Sequence, residues 1–110
     1  MLKAFRLVTM AAILSLAASL YAASAKTEII ISAAASLTDA MNELIVAYQK
    51  VKPDITVTPT YGSSGSLQKQ IEQGAPADLF ASASPKQMNE LEKEGLLLEG
   101  TRKNFAENKV

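Results

Sequence analysis

The chain has 110 residues, with eleven basic and eleven acidic side chains and no cysteine, histidine or tryptophan. Without Cys and His there is no thiol nucleophile, disulfide framework, zinc finger or histidine-based triad, and a zero formal charge gives no electrostatic reason to expect nucleic acid. The length allows one small domain.

Residues 1–25 read as an export signal. Lys3 and Arg6 form a short basic region, Leu7 to Ala23 carries no charge, and Ala23-Ser24-Ala25 supplies the small-residue cleavage pattern before Lys26. A retained membrane anchor is the weaker reading, because an uncharged run of 17 residues makes about 25 Å of helix against a hydrocarbon core of ~30 Å. With no Cys at the cleavage site, nothing supports a lipid anchor, so the expected destination is a bacterial periplasm. The remaining 85 residues, 26–110, keep nine basic and all eleven acidic side chains, a net charge of −2, and 34 of them are apolar. That is close to an ordinary soluble composition.

Glu28 to Ser32 is a β-branched run, apolar on successive positions, as expected for a strand buried on both faces of a parallel sheet. Ser36 then reads as a helix N-cap with Asp39 in the first turn. Leu37, Met41, Leu44, Ile45 and Tyr48 define one apolar helix face, which Pro53 ends. Ile55 to Thr58 is a second strand, leading through Pro59 to Tyr61. Gly62-Ser63-Ser64-Gly65 reads as a polar turn before a helix over 66–73, stopped by Gly74-Ala75-Pro76. Asp78 to Ser82 is a third strand. Ser84-Pro85 is an N-cap with Pro at the first helical position, opening a charged helix that places Met88 and Leu91 inward and ends at Gly95. The alternation of strand and helix implies an α/β fold, a parallel sheet with helices on both faces.

In such a sheet ligands bind where strand ends enter helices. Two loops stand out there, Ala33-Ala34-Ala35-Ser36-Leu37-Thr38 and Tyr61-Gly62-Ser63-Ser64-Gly65-Ser66. Each offers serine hydroxyls and free backbone N–H groups at a helix start, a dipolar anion site. Neither loop contains Lys or Arg, which suits a compact oxyanion that is held and then released. The plainer reading is that these serines only cap helices. Catalysis is disfavoured: Gly62-Ser63-Ser64-Gly65 satisfies neither the nucleophile-elbow nor the P-loop pattern, and a hydrolase using Ser64 would have no histidine base. Asp39 and Glu43 read as helix-surface charges, and the acidic run around Glu90 to Glu94 as a solvated face. No loop offers direct ligands for a cation.

Three blocks, Ala33 to Met41, Gly62 to Ile71 and Gly74 to Phe80, resemble in order and spacing the periplasmic molybdate-binding proteins of bacterial ABC importers. The likeness runs from about Glu28 to the end. It implies a type II-like binding protein of two α/β lobes that closes on molybdate or tungstate and delivers it to an inner-membrane permease with its ATPase, with no cofactor and no catalysis. Carried over by position, the family's oxyanion-binding serines fall on Ser36 and Ser64, with Ser63 as a secondary contact. The family's tyrosine ligand belongs to the second lobe, so Tyr61 does not take that role. Residues 26–110 are then expected to be the N-terminal portion of the first lobe, ending before the second, and to bind weakly alone. Sulfate would be rejected by size, and phosphate because its proton wants a carboxylate acceptor. A receptor of the same class for another anion or a metal, and a nonfunctional partial product, are the remaining alternatives.

Overall fold

The computed structural model describes residues 26–109; the export-signal reading concerns residues 1–25 and lies outside them. Three parallel strands, β1 (Thr27–Ala34), β2 (Ile55–Gly62) and β3 (Leu79–Ala81), form one sheet in the order β2-β1-β3. A 3-10 turn, Ala35–Leu37, leads into α1 (Thr38–Val51); α2 (Ser64–Glu72) follows β2, and α3 (Pro85–Lys93) follows β3.

The strand order decides where the helices go. A right-handed crossover from β1 to β2 and another from β2 past β1 to β3 put α1 and α2 on opposite faces. Side-chain alternation agrees. Ala33, Met41 and Ala81 are buried together, with Ile31, Leu37, Ile45 and Tyr61 packed against them, so α1 covers the odd-numbered face of β1. On the other face, a Cβ at Gly62 would lie 3.4 Å from the Leu67 side chain. Leu67 of α2 and Leu91 of α3 are the largest fully buried side chains among the described residues, and α3 packs beside α2.

β1 is longer than its β-branched run. Pairing with β2 continues through Ala33↔Tyr61 and Ala34↔Gly62, because alanine side chains let the helices close over the sheet without interrupting the ladder. Pro59 sits inside β2 opposite Ile31. A proline is tolerated there because β2 is an edge strand and its missing N–H faces outward. β3 is shorter than expected, since Asp78 joins β1 partly through its side chain. Its N–H donates to the Ile30 carbonyl at 2.9 Å, and its Oδ2 accepts the Ile30 N–H at 2.8 Å.

The helix stops at Gly74 and Gly95 share one geometry. Both glycines have positive φ, 90° and 72°, and the residue after each returns its N–H to the carbonyl five positions back, Ala75 to Gln70 and Leu96 to Leu91, at 2.9 Å. This is the Schellman stop, for which glycine is the unstrained residue. One helix face departs from the periodicity reading. Met41 is buried, but Leu44 and Tyr48 are 59% and 41% exposed, and with Val51 they form an apolar stripe open to solvent. Met88 is half-buried rather than part of the core.

Asp78→Ala removes the acceptor of a strand amide. It should lower unfolding free energy by about 1 kcal/mol and speed hydrogen exchange at Ile30, whereas Asp78→Asn, which keeps an acceptor, should lose less. Urea titration and amide exchange read both effects.

Candidate functional site

The three strands point the same way, so their carboxyl ends share one rim. The register aligns that rim closely. Ala33 is paired with Tyr61 on one side and with Ala81 on the other, and counting three residues on from each gives Ser36, Ser64 and Ser84. With adjacent strands ~4.8 Å apart, three serine-bearing turns leave the sheet from one level.

In the first, Ser36 is exposed in the middle of the 3-10 turn, and Leu37 is the residue that flanks α1 without a side-chain cap. The N-cap expectation for Ser36 is therefore corrected: the strand runs on through Ala34, and the tight turn moves Ser36 inside the helical segment. Thr38 ties the turn instead, its Oγ1 donating to the Ala35 carbonyl at 2.7 Å. The hydroxyl of Ser36 stands at the start of a continuous helical run whose first N–H groups have no intrahelical partners.

In the second turn the serines divide the work. Ser63 is the N-cap of α2, its Oγ accepting the Ser66 N–H at 3.1 Å, and the Ser63 carbonyl takes the Leu67 N–H at 3.0 Å. Helix geometry leaves the N–H groups of Ser64 and Gly65 without intrahelical partners, at the positive end of the helix dipole. Ser64 is half-buried at the first helical position. Its Oγ accepts the Ala83 N–H at 3.0 Å, and among the described residues no acceptor takes its own proton.

That bond brings in a third turn that sequence reasoning passed over. Ser82-Ala83-Ser84 read as the end of a strand and a helix cap. Ser84 does cap α3, accepting the Lys86 N–H at 3.3 Å. The available signal was the pattern itself, a serine among small residues at a helix start, as in the other two turns.

The first two turns contain no Lys or Arg, while Asp39 lies in the first turn of α1 and Lys86 in that of α3. Lys69, within α2, places its Nζ 3.9 Å from Glu72 Oε2. Tyr61 is half-buried and donates its hydroxyl to Asn42 Oδ1 at 2.5 Å. No group of three or more His, Cys, Asp or Glu positioned to hold a metal occurs among the described residues. A hollow of about 350 Å³ between Glu92, Leu98 and Arg102 contains none of the rim serines.

Among the described residues, one pair of perturbed carboxyls lies elsewhere, where the C-terminal ends of α2 and α3 meet. Glu72 is held below the ordinary glutamate range, chiefly by the Gln68 amide, whose Nε2 donates to its Oε1 at 2.7 Å, with Glu94 and Lys69 adding to this against a desolvation that raises it. Glu94 is pushed up, first by partial desolvation and then by the facing Glu72 and nearby Glu90. A carboxyl whose folded pKa is raised favours the folded state below its unfolded pKa and loses that contribution as pH rises through the folded value. Glu94→Gln should therefore raise the melting temperature at pH 7 relative to the parent chain, and the difference should shrink as pH falls below the ordinary glutamate range. An equal difference at both ends would contradict the assignment. In the same melts, Ser63→Ala should cost about 1 kcal/mol through the lost cap.

The family described as bacterial extracellular solute-binding protein matches residues 29–110. The molybdate-binding protein ModA of Haemophilus influenzae is 43% identical over 88 residues, covering 80% of this chain and 34% of that protein. ModA of Escherichia coli K12 is 47% identical over 62 residues, 56% of this chain and 24% of its own length. Among solved structures, a substrate-binding domain assigned to a molybdenum ABC transporter from Clostridium difficile superposes with a TM-score of 0.67 at 54% identity, over 69% of this chain and 33% of that one. The chain spans about a third, or less, of the length of these proteins.

Proposed function

The chain belongs to the bacterial extracellular solute-binding proteins, and from that premise we propose that its serine rim is the first half of an oxyanion site for molybdate or tungstate. What supports this reading is the register of β1 with β2, Ala33↔Tyr61 and Ala34↔Gly62, from which the turns bearing Ser36 and Ser64 leave at one level and enter two helical segments. Each supplies a hydroxyl and helix-start amides, which are donors without a formal charge. Ser63 is assigned to capping α2, so its hydroxyl is a secondary contact at most. The names of the two ModA relatives and of the structural neighbour support molybdate as the solute.

In this reading the protein is a receptor and transforms nothing. It is exported through residues 1–25, cleaved before Lys26, and hands the anion to an inner-membrane permease driven by an ATPase. Residues 26–110 form the N-terminal portion of the first lobe. Tungstate shares the charge and shape of molybdate and competes for the same donors. A rim made of donors favours an oxyanion that carries no proton, which sets hydrogen phosphate at a disadvantage.

Affinity follows from the number of donors and the side they come from. Hydrogen bonds to a charged group contribute about 1.5–3 kcal/mol each, and millimolar binding corresponds to about −4.1 kcal/mol. Two serine turns on one side of the anion reach that range. Micromolar capture, about −8.2 kcal/mol, needs donors from the opposite side as well.

Amide chemical shifts of the chain titrated with sodium molybdate test this. The Ser36, Ser64 and Gly65 amides should move saturably with a midpoint in the millimolar range, and Ser36→Ala or Ser64→Ala should each raise the midpoint by about tenfold, or 1.4 kcal/mol. An unchanged midpoint in both variants contradicts the site. Sub-micromolar binding contradicts the one-sided account of affinity.

A further inference from the structure

We propose that Ser82 is a positioning residue for the oxyanion site, holding Ala83 so that Ser64 presents its proton, and not its lone pairs, to the ligand. The proposal rests on the reading of Ser64 given above and adds a residue that touches no ligand.

A serine hydroxyl is both donor and acceptor, and its neighbours decide which role it plays. For Ser64 the acceptor role is occupied by the Ala83 N–H at 3.0 Å, which leaves the hydroxyl proton for an anion. The Ala83 amide reaches Ser64 across 19 positions of sequence, from a turn that contains no glycine or proline. What fixes that turn is Ser82. Its half-buried side chain donates to the Ser84 carbonyl at 2.7 Å and accepts the Ser84 N–H at 3.2 Å. The two bonds close a small ring around Ala83 and pin the peptide on its far side.

The ring also sorts the amides of the third turn. The Ser84 N–H is taken by Ser82, the Lys86 N–H by Ser84, and the Ala83 N–H by Ser64. Unlike the first two turns, the third offers these amides to the protein itself. It stands beside the rim as a brace, and β3, which pairs with β1 at Ala33↔Ala81, sets its height.

The test has a ligand-free arm and a ligand arm, both on the full chain. Hydrogen exchange at the Ala83 amide should speed up by about tenfold in Ser64→Ala and in Ser82→Ala, and return to near the parent rate in Ser82→Thr, which restores the hydroxyl. In molybdate titrations Ser82→Ala should raise the midpoint by about threefold or more, again restored by threonine. Parental exchange at Ala83 in Ser82→Ala overturns the proposal. So does faster exchange with an unchanged molybdate midpoint, which would make the ring a local brace without influence on the ligand. If the parent chain shows no molybdate-dependent shift at all, the oxyanion reading itself fails, and the exchange arm still reports whether Ser82 holds Ala83.

Discussion

The parallel register of β1 with both its neighbours is the constraint on which everything else depends. Ala33 sits level with Tyr61 and with Ala81, so each strand ends at the same height and each following turn starts there. A slip of one residue would turn every side chain of a strand to the opposite face, burying what should be exposed and moving its serine out of line. The register is held by backbone pairing, by the apolar contacts of Ile31, Ala33 and Met41 on one face, and by Asp78, whose carboxylate fastens the entry of β3 to Ile30. The site is thus a consequence of strand pairing some distance below it.

Small side chains complete the arrangement. Ala33, Ala34 and Ala81 are almost wholly buried, and Gly62 lies against Leu67, which a Cβ there would meet at van der Waals distance, 3.4 Å. Small residues at strand ends let helix starts come close to one another, and close helix starts concentrate backbone N–H groups and dipoles. Hydroxyls of Ser36 and Ser64 then add donors without adding a formal charge. In the proposed reading, such a site would attract an oxyanion by many modest interactions, each of which is easily surrendered on release.

Much of this was legible in the sequence, and the exceptions have physical causes. The β-branched runs at Ile29 to Ile31 and Ile55 to Val57, the capping Ser84-Pro85 and the stops at Gly74 and Gly95 act through local geometry, which a sequence displays directly. The extension of β1 through Ala33 and Ala34 depends on its partner strand, and alanine carries no strand signal of its own. For that reason Ser36 looked like a cap and is instead inside a 3-10 turn. Helical periodicity marked Leu44 and Tyr48 as apolar but could not say what covers them, and α1 leans on the sheet through Met41 and Ile45. The Ser64–Ala83 bond links residues 19 positions apart, and long-range hydrogen bonds leave no mark in local composition. The family resemblance reached Ser36 and Ser64 by position, with Ser63 second; the hydrogen bonds added that Ser63 caps α2 and that Ser64 accepts the Ala83 N–H.

The central claim is that an oxyanion sits at the rim between the turns after β1 and β2. The most direct measurement is crystallographic, on crystals of the chain soaked in millimolar sodium tungstate, because tungsten scatters X-rays anomalously and marks its own position. The account predicts one anomalous peak within hydrogen-bonding reach of the Ser36 and Ser64 hydroxyls, with the Ala83 N–H still bonded to Ser64. A peak elsewhere on the surface, or none at the rim, would contradict it.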